Sequence, residues 1–448
     1  MMFKIPIVFV TCLYLFCFQS CLDVNTDDEQ IVSGTDSPTN NPDYLDGAIL
    51  IDSFKWIQII DEQLLNLYKS VFTRHPQVHG DKIIYGVLDQ DGFVALDRFT
   101  GNLIWDNRGV FNNTAIAKTQ EYNGFIYYNT RGGIRSFNIS TGAVGVNYSL
   151  SNSNQYLGQE FAIFNDRYYA HLDDFNFSEP IFDEWIVSEM PPLEKNDWVH
   201  FNRIEAASNN GFKRGYNFPT FFIDQNGDTT MIYACQESNN LFMTGNMHLI
   251  SYNLSADSIK WINRNFTPRG GLTKAPLLDE GRLYTLGEEN ALCLSAESGE
   301  IIWEVGAPVI KDKLTGYADF LIHENKMIIL GKVEQILCLN KFNGSVVWSR
   351  FFEITKPSDV YIGGSNRNTA NIYNGKLYYI NGWGSLVVTS IDDDNSFDRY
   401  SLPQLVPIEG YEIKLFEPSF SNQNMTISED GVIYTSDGYR FLAFDAPL

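Results

Sequence analysis

The residues able to do chemistry are thinly spread along this chain. The six histidines, His75, His79, His171, His200, His248 and His323, fall in separate stretches. None stands at a metal-ligand spacing from another except His75 and His79, which sit in an expected turn. No Gly-x-Ser-x-Gly string marks a nucleophile on a strand-to-helix turn. Asp392-Asp393-Asp394-Asn395 is a run of oxygen ligands that could hold calcium, but its place in a turn makes it a solvated loop. No metal site and no catalytic residue is therefore expected.

What remains is recognition. Residues 172–218, 353–370 and 401–424 read as long irregular stretches, and long loops in compact domains tend to carry function. They bring aromatic rings together with amides and charges. His171, Asp173, Trp185 and Arg214 form one group; Tyr361, Arg367 and Trp383 form another. Such mixtures suit a protein interface or a sugar.

The elements that must position these loops repeat. In FVALDRFTGNLIW, Ala95 precedes Gly101 by six residues and Trp105 by ten. The same spacing recurs at Cys293, Gly299 and Trp303, and at Cys338, Gly344 and Trp348. Before each copy runs a segment of alternating apolar residues, such as DKIIYGVL at 81–88 or GRLYTLG at 281–287. Period-two alternation bounded by Asp, Asn and Gly signals strands and tight turns, three or four antiparallel strands per unit. Weaker copies place Ser136 with Val146, Ser188 with Trp198, Ser251 with Trp261 and Ser390 with Tyr400.

The last copy, RFLAFDAPL, supplies Ala443 and no tryptophan strand. Asp52-Ser53-Phe54-Lys55-Trp56 resembles Asp257-Ser258-Ile259-Lys260-Trp261, so the N-terminal strand would complete the last sheet. A ring closes by sharing one sheet between its termini. The expectation is an all-β propeller of eight four-stranded blades, or seven if residues 160–204 are an insertion. The units are spaced about 49 residues apart, as propeller blades are.

The string Ala-Leu-Asp-x-x-Thr-Gly-x-x-x-Trp at Ala95–Trp105 resembles the quinoprotein (PQQ-like) β-propeller repeat. The resemblance covers roughly residues 50–448. It implies that Trp56, Trp105, Trp261, Trp303 and Trp348 dock one blade on the next. Members that hold the quinone resemble longer chains with a vicinal disulfide and a calcium site. This chain has no adjacent cysteine pair, so PQQ and dehydrogenase activity are not expected. Cys293 and Cys338 occupy equivalent positions in adjacent units, too far apart for a disulfide, and read as buried free thiols.

Residues 1–20 have the form of a signal peptide, with Lys4 before the apolar run IPIVFVTCLYLFCF. Phe18-Gln19-Ser20-Cys21 resembles a bacterial lipobox, which makes Cys21 the lipidation site. Residues 21–46 are polar and form a flexible acidic tether; the propeller spans 47–448. Asp27-Asp28-Glu29 resembles the surface-export signal of Bacteroidetes lipoproteins, leaving the periplasmic and outer faces of the outer membrane both open. Removing residues 1–20 takes away Lys4 and no acid, moving the net charge from −23 to −24. That acidity excludes nucleic acid as a partner. The layout resembles the propeller lipoproteins of the outer-membrane β-barrel assembly machinery. It implies a non-catalytic scaffold for an envelope protein. The alternatives are a surface receptor for a glycan or other extracellular ligand and, less favoured, a quinoprotein-like enzyme.

Overall fold

The computed structural model describes residues 48–448 apart from 60–75, 88–91, 110–118, 131–132, 151–154, 175–181, 192–198, 206–211, 216–218, 238–246, 264–275, 288–289, 311–318, 332–334, 352–369, 381–385, 394–396, 402–424 and 438–439. The tether, Cys21, Tyr361, Arg367, Trp383 and Trp198 thus lie outside the described residues.

Among the described residues there are strands and no helix, arranged as eight antiparallel sheets of four main strands each. The first blade is Gln77–His79, Lys82–Val87, Gly92–Asp97 and Leu103–Asp106. The second is Thr119–Tyr122, Phe125–Thr130, Gly133–Asn138 and Val144–Ser149. The third is Gln155–Phe164, Arg167–Asp174, Phe182–Glu189 and Val199–Glu205. In the fourth, Phe212–Gly215 and Thr220–Ile223 both pair with Thr229–Glu237, followed by Met247–Asn253 and Ser258–Asn263. The fifth is Leu277–Asp279, Arg282–Leu286, Ala291–Ser295 and Ile301–Val305. The sixth is Asp319–His323, Lys326–Leu330, Gln335–Asn340 and Val346–Phe351. The seventh is Asn371–Tyr373, Lys376–Ile380, Leu386–Ser390 and Phe397–Ser401. Thr426–Ile427, Val432–Ser436 and Arg440–Asp445 make the eighth, completed by Trp56–Ile59 from the other end of the chain.

That closure has the register read from the repeat. Trp56 pairs with Ala443, as Trp105 pairs with Ala95, Trp303 with Cys293 and Trp348 with Cys338. The chain is a propeller of eight blades, and residues 160–204 are a blade, not an insertion.

The apolar core lies between blades. Ile84, Phe93, Ala95 and Trp105 of the first pack on Ile126, Tyr128 and Phe137 of the second. Each sheet thus buries both faces against neighbours, which is why the middle strands read as nearly continuous apolar runs. Tight hairpins keep the blades compact. At Asn123-Gly124 both residues have positive φ, 50° and 76°, the two-residue turn whose twist matches paired strands.

Two of the weaker repeat phases are corrected by the register. In the seventh blade Val388, not Ser390, occupies the small-residue position. Tyr378 pairs with Val388 as Tyr284 pairs with Cys293, and the residue opposite Val388 is Asp398, not Tyr400. In the third blade Val187 pairs with Val199, so the fourth-strand position belongs to Val199 rather than Trp198.

Residues before Trp56 add a strap. Ile49–Leu50 pairs parallel with Tyr400–Ser401 on the outer edge of the seventh blade, and Ile51 N donates to Ser401 O at 2.9 Å. Ile51 is buried among Tyr378, Met425 and Phe444, and Phe54 meets Phe444 edge-on with centroids 5.8 Å apart.

Candidate functional site

The repeat residues converge on the junctions between blades. Three residues beyond the small position, a backbone N–H donates to the first hairpin of the same blade. Arg98 N reaches Asp81 O at 3.0 Å, Ala296 N reaches Gly281 O at 3.0 Å and Lys341 N reaches Asn325 O at 2.8 Å. Equivalent bonds start from Ile139, Met190, Leu254, Ile391 and Ala446, one in every blade. This bond fixes the direction of the residue's carbonyl, and the preceding blade's tryptophan donates to that carbonyl. Trp56 Nε1 reaches Arg98 O at 2.8 Å, Trp105 reaches Ile139 O at 2.9 Å and Trp261 reaches Ala296 O at 3.0 Å. Trp303 reaches Lys341 O at 2.9 Å and Trp348 reaches Ile391 O at 3.1 Å.

The turn glycine completes the junction. Gly101 has φ +74°, and a Cβ built on it would stand 2.7 Å from the Trp56 ring. Gly344 repeats this against Trp303, with φ +72° and 2.9 Å. Glycine is needed for both the backbone angle and the space. The Asp or Asn two residues beyond the small position caps the turn: Asp97 Oδ1 accepts from Phe99 N and Thr100 N, and Asn138 Oδ1 from Ser140 N and Thr141 N.

Polar contacts reinforce the same seams. Lys260 of the fourth blade binds Asp224 at 2.9 Å and Glu297 of the fifth at 2.5 Å. The Asp224 carboxyl is held below the usual carboxylate range, chiefly by its hydrogen bond from Lys260. Lys341 of the sixth binds Asp279 of the fifth, and Lys326 of the sixth binds Asp392 of the seventh. Asp392, first of the carboxylate run, is thus one half of an ion pair. His79 Nδ1 lies 2.8 Å from Glu121 Oε2 across the first junction; burial keeps its imidazole pKa below the usual value despite that partner. Cys293 and Cys338 are free and buried, and they pack toward different neighbouring blades.

The loop residues expected to recognise a partner are placed differently from the expectation. The described residues of 172–218 are almost all strand, because the third blade's strands run on where other blades turn. His171 and Trp185 are buried cross-strand partners in that blade, their rings edge-to-face at 5.7 Å. They belong to the junction with the fourth blade, where Trp185 packs on Tyr233 at 5.1 Å, and not to an exposed loop. Asp173 pairs in register with Tyr156 and Asp183, and Arg214 lies in Phe212–Gly215. The structure brings His171 and Trp185 together. The second group lies outside the described residues. Sequence reasoning missed Tyr233 and Phe221 of this junction, which no repeat residue marks. Among the described residues no group of three or more His, Cys, Asp or Glu could hold a metal ion.

This arrangement defines an eight-bladed propeller of PQQ-like repeats, with the repeat residues spent on joining blades. A family profile described as outer membrane protein assembly factor BamB matches residues 246–447, the fourth blade's third strand to the end of the eighth. The chain resembles BamB-like propellers of this repeat. BamB from Moraxella catarrhalis superposes with a TM-score of 0.51 at 11% identity, covering 84% of this chain and 99% of that one. A quinohemoprotein alcohol dehydrogenase from Pseudomonas putida HK5 gives 0.55 at 9% identity, covering 88% of this chain and 76% of that one. The C-terminal WD40 domain of Sif2 gives 0.55 at 9%, covering 90% and 100%. At such identities the likeness is one of fold, which hosts unrelated functions. Curated proteins compared by sequence give no match.

Proposed function

We propose that this chain is a non-catalytic, lipid-anchored propeller scaffold that holds proteins together in a bacterial cell envelope. The observation that carries the reading is the use made of the repeat. Its tryptophans, glycines and Asp or Asn residues are committed to blade junctions and turn caps, which leaves them no part in a quinone site. The profile match to an outer membrane assembly factor and the likeness to BamB support the same class. Cys21 after a signal-like leader supplies the anchor, and the acidic tether lets the ring reach an envelope partner. No PQQ, metal or nucleic acid enters this reading. The fold shared with the alcohol dehydrogenase carries no activity across at 9% identity.

Affinity capture of the full-length lipidated protein from its native membrane after crosslinking tests the scaffold. The expected result is a recurrent envelope protein that copurifies in stoichiometric amount. Capture of the protein alone after efficient crosslinking overturns it.

Asp27-Asp28-Glu29 behind Cys21 favours a second reading, a surface receptor for a glycan or other extracellular ligand. Proteinase shaving of intact cells separates the two. Digestion places the ring outside, and full protection removes the receptor reading.

A further inference from the structure

In each of the first six blades the pairing of the outermost strand carries a register shift. The shifts fall between Ala95 and Leu96, Val144 and Asn147, Asp183 and Trp185, Ser251 and Tyr252, Cys293 and Leu294, and Cys338 and Leu339. Such bulges twist an edge and blunt it against added strands. The outer pairing of the seventh blade runs without a shift, as does that of the closing strand Trp56–Ile59. Of these two regular edges it is the seventh blade's that already carries a fifth strand. Ile49–Leu50 joins it in parallel at Tyr400 and Ser401.

The strap is held unevenly. Its pairing is two residues long, and the side chains of Ile49 and Leu50 remain 49% and 53% exposed. Asp52 and Ser53 are exposed as well. What seats the strap is Ile51, buried with Tyr378, Met425 and Phe444, and the edge of Phe54 on Phe444. The closing strand behind it has its own hold. It pairs over four residues with the eighth blade, Trp56 Nε1 donates to Arg98 O at 2.8 Å and Lys55 N donates to Ala443 O at 2.8 Å. None of these contacts uses residues 48–54, so the strap can leave while the ring stays closed.

We infer that the outer edge of the seventh blade is a strand-addition site, filled in cis by the strap and open in its place to an extended segment of a partner protein. The strap states the chemistry of that segment. Its backbone runs parallel to Tyr400–Ser401, an aliphatic side chain enters the socket of Ile51, and an aromatic ring three residues further on meets Phe444. Main-chain bonds along the edge supply affinity and the socket supplies selectivity. The inference rests on the scaffold reading for the existence of a partner and deepens it by naming a surface.

Two measurements on the purified full chain test it. In the parent, amide exchange read by mass spectrometry should be about tenfold faster at Ile51 than along Trp56–Ile59. Equal rates would mean that the strap leaves only when the ring opens, and overturn the inference. The second measurement titrates a fluorescent peptide of residues 48–54, AILIDSF. Ile51→Asp cannot fill the apolar socket, so this variant should bind the peptide at least about tenfold more tightly than the parent, where the strap competes in cis. The same peptide carrying Ile51→Asp should bind neither chain. Equal binding to parent and variant overturns the inference, and so does no binding to a variant that unfolds as cooperatively as the parent. If Ile51→Asp does not fold, Phe54→Ala, which loosens the strap and keeps the socket, takes its place with the same expected direction. Both measurements use no envelope component, so their failure leaves the capture experiment on the scaffold standing.

Discussion

Trp303 of the fifth blade lays its indole over Gly344 of the sixth and donates Nε1–H to Lys341 O at 2.9 Å. One contact thus joins a ring, a turn angle and a carbonyl direction. Gly344→Ala must adopt an unfavourable backbone angle and push the ring away, and should cost about 2–4 kcal/mol. Trp303→Phe should cost about 2–3 kcal/mol through the lost bond and volume. The two should be non-additive in a double-mutant cycle followed by chemical denaturation; additive losses would mean that the two residues do not act as one contact.

Trp185→Phe should cost less than Trp303→Phe, although Trp185 is the more buried of the two. Its Nε1–H has no acceptor to lose among the described residues, so only volume is removed. Equal losses in parallel denaturation curves would show that the indole N–H does not set the difference.

The strap should matter to ring closure. Ile51→Ala removes a buried side chain from the seventh-to-eighth cluster and should cost about 2–4 kcal/mol. The same change at exposed Leu50 should be nearly neutral. Thermal unfolding of the two variants side by side is the check.

Two pH windows should be visible. Burial keeps the His79 imidazole below its usual value, so the unfolded chain takes up its proton first. Stability should then fall as pH drops through about 6.5, and His79→Gln should flatten that step. Asp97, Asp224 and Asp430 are held below the usual carboxylate range, respectively by the Thr100 N–H, the Lys260 ammonium and the Ser428 hydroxyl. Their contribution is present above about pH 4 and is lost as pH falls through their folded values. Asp224→Asn should lower the melting temperature at neutral pH and reduce its acid dependence.

The thiols should be inert. Burial pushes Cys293 up to about 11 and Cys338 up to about 12. Maleimide labelling at about neutral pH, followed by peptide mapping, should leave both unmodified in the native protein and modify both in denaturant. Native labelling of either would contradict its burial.

The locked blades were legible because each states its phase several times, in most of the small residue, the turn-capping Asp, Asn or Ser, the glycine and the tryptophan. Closure was legible for the same reason, since Trp56 carries the phase to the other end of the chain. The seventh blade misled because Val388 and Ser390 lie two apart on one strand. A slip of two keeps every side chain on its own face, so alternation cannot detect it. The third blade misled by one residue. Trp185, Ile186 and Val187 are all apolar in a strand buried on both faces, so no alternation fixed the parity. His171 and Trp185 stand with Asp173 and Arg214 in one expected loop group, but the place of the two rings in a junction depends on strands running past the usual turn, which no local residue announces.

Trp56–Ile59 waits for Arg440–Asp445, almost a full chain length away. During synthesis Trp56–Ile59 is therefore made early and is among the last strands to find its partner, and the ring stays an open arc until the final blade emerges. Local hairpins can form as they leave the ribosome, but cooperative stability cannot. An arc in that state exposes the apolar flanks of its first and last sheets. A chain built this way needs protection until its ends meet.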